Sequence, residues 1–292
     1  MKRAETHARA GMIGAMAVFG SIGLFVRMIA LSSAEIALYR ALLALLLLGA
    51  VLLFQRRKSE ALPASPATMR RRLLLLLSGA AMGFNWIFLF EAYRYTTVTT
   101  ATLCYYAAPI LVTVLSPLLF GERITVRQIL CFGISTVGVV LLTGVSAVTR
   151  QELTGVVFGL CAACLYAAVV LINRGLGDGD PMVRTALQFG AAAIVLLPYV
   201  LLSGDIRLPE ITAIGVLCLL CVGLVHTGIT YCVYFASLQK LPGQEAAILS
   251  YIDPLTAVLL SVFVLGETMT PAQIIGGVLI LGASIANEIM ST

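Results

Sequence analysis

One stretch of this chain occurs twice, and it constrains the fold more than anything else in the sequence. Residues 101–129 read ATLCYYAAPILVTVLSPLLFGERITVRQI, and residues 246–274 read AAILSYIDPLTAVLLSVFVLGETMTPAQI. Superposed without a gap, the copies agree at Ala101/Ala246, Tyr106/Tyr251, Pro109/Pro254, Leu115/Leu260 and Ser116/Ser261. The agreement continues through Gly121/Gly266, Glu122/Glu267, Thr125/Thr270, Gln128/Gln273 and Ile129/Ile274. Two unrelated apolar helices do not share roughly a third of their positions, so the chain is internally duplicated.

Each copy reads as helix, tight turn, helix. The apolar run ends at Gly121 or Gly266, the residue type that accepts a left-handed conformation after a last helical turn. Thr125 and Thr270 then offer hydroxyls to the free N–H groups of the next helix. Gln128 and Gln273, three places on, reach back to complete a capping box. Pro271 falls at the first helical position, where its missing N–H costs nothing. Glu122 and Glu267 precede the same helix starts and complement their positive dipole ends, a structural role with gating as the alternative.

Composition identifies the solvent. Of the 292 residues, 60% are hydrophobic and only 11% charged. A soluble core cannot bury that much apolar surface, and apolar runs of about 17–25 residues recur throughout, so the chain reads as a polytopic helical membrane protein. Its formal net charge of +5 is then a matter of topology, and nucleic acid is not an expected partner. All seven cysteines lie in apolar segments. The pairs Cys161/Cys164 and Cys218/Cys221 have metal-like spacing but sit mid-helix, with no glycine knuckle and no polar entry path. They read as small hydrophobes, and neither a metal nor a cofactor is expected.

Ten helices are expected, over residues 10–29, 34–54, 73–94, 97–120, 126–145, 154–173, 182–202, 211–238, 244–265 and 271–289. The first is too long for a signal-peptide core and lacks a convincing cleavage site, so it is expected to stay as a span. With the N-terminus inside, the internal segments hold Lys2, Arg3, Arg9, Arg56, Arg57, Lys58, Arg70, Arg71, Arg72, Arg123, Arg127, Arg174, Arg184 and Lys240. The external ones hold only Arg94, Arg150 and Arg207. Both termini are therefore expected in the cytoplasm. Five helices per half is an odd number, so the second half enters the membrane upside down. Such inverted repeats are a construction of secondary transporters, in which two similar halves expose a central site to either side alternately.

These residues resemble the drug/metabolite transporter superfamily, specifically its EamA-type members. The resemblance rests on Tyr-x-x-Pro followed by Gly-Glu-x-x-Thr-x-x-Gln in both halves, on Arg40 in the second helix, and on Tyr251-Ile252-Asp253-Pro254. It covers residues 11–286, which divides the chain into one EamA repeat over 8–146 and another over 153–290. It implies a ten-helix exporter of amino acids, other small metabolites or amphiphilic drugs. It also implies a central cavity lined by helices one, three, four, six, eight and nine. Ala108 stands where the second copy has Asp253, so a charge at that position is one-sided.

Pro109 and Pro254 fall mid-helix, where each removes a hydrogen bond and frees a carbonyl. Broken helices of this kind form transporter sites, although membrane helices also tolerate plain packing kinks. Asp253 is an intramembrane carboxylate, functional by default, suited to a substrate amine or a coupling proton; capping the broken helix is the plainer role. His226 and Glu91 are further proton-coupling candidates. The plainer readings are a packing histidine and a Glu91–Arg94 surface pair. The register that aligns the prolines also aligns Asn85-Trp86 with Thr230-Tyr231, and with Tyr105, Tyr106 and Tyr251 these form a polar-aromatic layer. Such rings stack on apolar substrates or hold amines, or simply pack helices together. Arg27 is expected to snorkel outward and Arg40 to pair with Glu35. Gly79/Gly83 and Gly155/Gly159 read as close helix contacts.

The function expected from all this is secondary active transport of a small organic metabolite. The reading is export of an amino acid or amine across the bacterial inner membrane, driven by a gradient or by exchange, with protons as a candidate coupling ion. The alternative is a proton-coupled efflux protein for drugs or amphiphiles. A polytopic membrane enzyme or sensor is the remote one, since no phosphate loop, His-Glu-x-x-His or nucleophile elbow is present.

Overall fold

Five threonines set the starts of five helices. In the computed structural model, which describes residues 2–56, 69–121, 125–143, 149–176, 180–203, 206–241 and 243–290, each accepts a hydrogen bond at a helix N-terminus. Thr97 accepts from Thr100 N and Thr212 from Gly215 N. Thr125/Gln128, Thr149/Glu152 and Thr270/Gln273 form reciprocal pairs. Each cap stabilises its helix by about 1 kcal/mol. Two of these boxes are the ones read from the repeat. The Thr149 box starts its helix at Arg150, four residues earlier than the apolar run alone suggested. The repeat turns also close as expected, at Gly121 (φ 68°) and Gly266 (φ 67°).

The helices are α1 (Lys2–Gly20, resuming as Ile22–Arg27), α2 (Ser33–Arg56), α3 (Met69–Tyr95), α4 (Val98–Tyr105 and Ala108–Phe120) and α5 (Val126–Thr143). They continue with α6 (Arg150–Gly175), α7 (Pro181–Ser203), α8 (Ala213–Leu238), α9 (Gly243–Ser250 and Ile252–Phe263) and α10 (Pro271–Met290). Among the described residues seven helices are long and apolar enough to cross a membrane, and three shorter apolar ones accompany them. The outer surface carries bare Leu118, Leu202 and Phe263, each at least 80% exposed, as a lipid-facing surface requires. The protein is an all-α polytopic membrane protein.

Around the interior, α3 packs on α6 and α7, α2 on α7 and α8, α1 on α8 and α9, and α4 on α6 and α9. The pair α5 and α10 lies together to one side. The small residues make the closest approaches. A methyl on Gly79 would lie 2.6 Å from the Gln188 carbonyl of α7, and one on Gly155 2.7 Å from Thr96 Cβ. The GxxxG spacings are therefore close contacts, as expected.

Three helices are interrupted. α4 breaks after Tyr105 and α9 at Tyr251, one turn ahead of Pro109 and Pro254 as expected, where proline has no N–H to give the preceding turn. α1 breaks at Ser21, whose hydroxyl donates to the Val18 carbonyl at 2.8 Å. No proline marks that site. The middle of α8, Cys221–Ile229, is a π-helix. Its wider turns are tied by Thr227 Oγ1 donating to Val222 O (2.7 Å) and Thr230 Oγ1 to Val225 O (2.8 Å), both five residues back. π-segments inside α-helices occur frequently at functional sites.

Three electrostatic expectations are corrected. Arg27 does not snorkel outward: its Nη1 lies 3.0 Å from Glu267 Oε1, and Nη2 donates to the Thr96 carbonyl at 2.8 Å. Glu267 does not serve the helix that follows it. It accepts from Val98 N (2.9 Å), Thr99 N (3.3 Å) and the Ser261 hydroxyl, and so caps α4 from the α9–α10 turn. The free N–H groups at the start of α4 and the Arg27 guanidinium together outcompete the start of α10. Glu122, its repeat mate, lies outside the described residues. Arg40 does not pair with Glu35, which accepts instead from Ser32, Arg207 N and Leu208 N and ties α2 to the turn before α8.

Candidate functional site: a tyrosine-walled central cavity

The breaks in α1, α4 and α9 lie around one cavity of about 440 Å³. α1 contributes Met16, Phe19, Gly20 and Ile22, and α3 contributes Trp86, Leu89 and Tyr93. Thr102, Tyr105, Tyr106, Ala108 and Pro109 come from α4, and Tyr166 from α6. α8 adds Tyr231, Tyr234 and Leu238; α9 adds Ala246, Ser250, Tyr251, Asp253 and Ala257. The six helices implied by the resemblance all take part. A seventh, α2, reaches in through Arg40.

Seven of the chain's ten tyrosines line this space. Several of these rings pack closely: Tyr105 meets Tyr166 at 5.3 Å between ring centroids, and Tyr231 meets Phe19 at 5.1 Å. The duplication is visible in the packing. Tyr106 and its repeat mate Tyr251 face each other at 6.2 Å. Trp86 and its mate Tyr231 flank Phe189, each at 5.5 Å.

Two lining residues carry charge, Arg40 and Asp253. Asp253 sits in the first turn of the second half of α9 and lines the cavity with Tyr106. A carboxylate there is favoured by the positive end of the half-helix dipole. The backbone beneath it is held tightly. A methyl on Gly20 would overlap the Asp253 carbonyl oxygen and lie 2.8 Å from Thr256 Cβ, so α1 can cross α9 at this point only with glycine. Gly20→Ala is expected to cost about 1–3 kcal/mol by overpacking and to lower the melting temperature of the purified protein. Gly14→Ala on the same helix, where a methyl meets nothing within 4 Å, is expected to leave it unchanged.

Of the residues proposed from sequence, Trp86, Tyr105, Tyr106, Pro109, Tyr231, Tyr251 and Asp253 line the cavity together. Five do not. Asn85 is buried and donates to the Ala162 carbonyl at 2.6 Å, joining α3 to α6. Thr230 is occupied by the π-turn, and Pro254 is buried behind the α9 break. His226 packs on Phe25 at 4.8 Å, with Nε2 2.9 Å from Ser21 Oγ and Nδ1 3.2 Å from the Cys221 carbonyl oxygen. It therefore ties the α1 break to the π-segment of α8. Glu91 lies at the end of α3, 3.5 Å from Arg94. Sequence reasoning missed Tyr93, Tyr166 and Tyr234, and gave Arg40 the wrong partner.

A second cavity, about 490 Å³, lies beside the Arg27 end of α1 and is lined by Arg27, Ser33, Phe90, Arg94 and neighbouring aliphatic residues. Tyr93 lines both cavities and so stands between them.

Comparison with known proteins agrees with this architecture. The EamA-like transporter family model matches residues 9–144 and again 153–287. A Bacillus subtilis (strain 168) protein, the transporter YxxF, is 31% identical over 272 residues, 92% of this chain and 85% of its own. The threonine/homoserine exporter RhtA of Escherichia coli (strain K12) is 27% identical over 224 residues, covering 76% of this chain and 72% of that one. A probable amino-acid metabolite efflux pump of Salmonella typhimurium is 26% identical over 226 residues, 73% and 76% of the two chains. One crystal structure, 17% identical, superposes with a TM-score of 0.64 over 98% of this chain and 97% of its own, a likeness of fold. Both halves match one family, and a relative above 30% identity spans nearly the whole length. This chain belongs to the EamA-like transporter family, and it is a multi-pass membrane transporter rather than an enzyme.

Proposed function

We propose that the protein is a secondary active transporter that exports an amino acid or amine across the bacterial inner membrane by alternating access. The observation that carries this is Asp253, a carboxylate at a broken helix facing a tyrosine-walled cavity. An amine entering there gains a charge-assisted hydrogen bond in a low-dielectric site, with aromatic faces around it. The two halves, 8–146 and 153–290, insert in opposite orientation, with both termini cytoplasmic, and α4 and α9 are the equivalent broken helices. A gradient or exchange supplies the energy. The names of two relatives, a threonine/homoserine exporter and a probable amino-acid metabolite efflux pump, support amino acids as the class.

The density of aromatic rings favours a second reading, proton-coupled efflux of lipophilic cations. Thermal stabilisation of the purified protein separates the two, because a ligand at a hundred times its Kd stabilises the folded state by about 2.7 kcal/mol. Amino acids or simple amines are expected to raise the melting temperature. Stabilisation by lipophilic drug cations alone would replace this reading with the second.

A further inference from the structure

Arg40 is 5% exposed and faces the central cavity from α2. Its Nε donates to Thr227 Oγ1 at 2.6 Å, and Thr227 passes the bond to the Val222 carbonyl within the π-segment. The guanidinium carbon lies 4.4 Å from the Trp86 ring centroid and 5.8 Å from that of Phe90. Glu35, the acid nearest to it in sequence, is committed to Ser32 and two backbone N–H groups. Among the described residues no Asp or Glu forms an ion pair with Arg40.

A buried cation without a carboxylate is costly, and such a residue in a membrane protein faces a cavity or a ligand. The contacts also fix its posture. With Nε bonded to Thr227 and the guanidinium over the Trp86 ring, the two terminal nitrogens remain as a fork, the geometry that matches a carboxylate bidentately. Lysine has no equivalent of that fork. The other charge in the cavity, Asp253, has the opposite sign and makes no ion pair with Arg40.

We infer that Arg40 is the carboxylate-binding half of this site and that the ligand is a small zwitterion, with its ammonium at Asp253 and its carboxylate at Arg40. The inference rests on the reading of this cavity as a transport site for amine-bearing metabolites, and it narrows that class. A plain amine leaves Arg40 unpaired, and a plain acid leaves Asp253 unpaired and repels it. An α-amino acid neutralises both, while Met16, Phe19, Leu89 and Leu238 offer apolar wall to its side chain. A volume of about 440 Å³ is at the small end of ligand cavities and suits a ligand of that size.

The test is a set of matched ligands titrated calorimetrically into the full-length protein in detergent. L-Leucine, L-phenylalanine and L-threonine are each compared with their α-amide, which keeps the amine and removes the carboxylate charge. Each is also compared with the corresponding acid lacking the amino group. At least one amino acid is expected to bind about 10-fold or more tighter than both of its analogues, the size of one lost charged hydrogen bond. Arg40→Gln, which keeps a donor for Thr227, is expected to bring the amino acid down to the level of its amide and leave the amide within about twofold. Amides that bind wild type as tightly as the amino acids overturn the role of Arg40 while leaving the amine-transport reading intact. An Arg40→Gln protein that loses both ligands equally shows a packing role instead. If none of the nine compounds binds, both readings fall. The wild-type comparison decides the matter even where Arg40→Gln does not fold.

Discussion

Replacing Asp253 with asparagine is expected to weaken the binding of amine-bearing ligands by about 10- to 100-fold while the protein remains folded. The magnitude follows from the loss of one hydrogen bond to a charged group, about 1.5–3 kcal/mol, at 1.4 kcal/mol per factor of ten. The fold should survive because asparagine is nearly isosteric with aspartate and still suits the first turn of a half-helix. That same substitution separates ligand binding from structure. Were Asp253 only a cap on the broken α9, the asparagine variant would melt close to wild type and bind every ligand as well. Calorimetric titration of both proteins with the best stabilising amine or amino acid measures the difference.

A larger effect on stability is expected at Glu267. Its side chain is 7% exposed and holds four groups at once: Arg27, the Ser261 hydroxyl, and the N–H groups of Val98 and Thr99. Truncation to alanine leaves two helix-start donors without their acceptor and leaves Arg27 with only the Tyr93 and Thr96 carbonyls. Leaving a buried donor without its acceptor costs about 1–3 kcal/mol, and Glu267 serves two such donors, while Arg27 is itself 32% exposed. Glu267→Ala is therefore expected to lower the melting temperature sharply or to abolish recovery of monodisperse protein. Glu267→Gln, still able to accept from the backbone, should fall between. Glu91 provides the control, because its pair with Arg94 is 3.5 Å long and partly exposed, a type worth about 0–1 kcal/mol. Thermal denaturation of Glu267→Ala and Glu91→Ala in one detergent checks this. Equal melting temperatures would remove Glu267 from its structural role.

The duplication made much of the fold legible. Thr125/Gln128 and Thr270/Gln273 are local chemistry, satisfied within one helical turn, so their capping boxes could be read directly. The αL glycines and the breaks ahead of Pro109 and Pro254 are equally local. What the repeat could not show was which way a side chain points. In a soluble helix the polar face marks the outside, but in lipid both faces are apolar and that contrast disappears. Asn85 and Trp86 are adjacent in sequence, yet Trp86 meets the cavity and Asn85 meets the α6 backbone. Tyr166 and Tyr234 belong to no repeated motif and could not be placed from their neighbours. Arg40 illustrates a different limit. Its partner, Thr227, is 187 positions away and is presented by a π-segment that no proline or motif announces.

Transport itself is tested most directly by counterflow. The purified protein is reconstituted into liposomes loaded with the unlabelled amino acid that stabilises it best, and a trace of the radiolabelled compound is added outside. Alternating access through the Asp253 cavity predicts transient accumulation of label above its equilibrium level. That accumulation should be absent from Asp253→Asn liposomes and from liposomes without protein. Label that enters wild-type liposomes no faster than protein-free ones would contradict the account, as would accumulation confined to lipophilic drug cations.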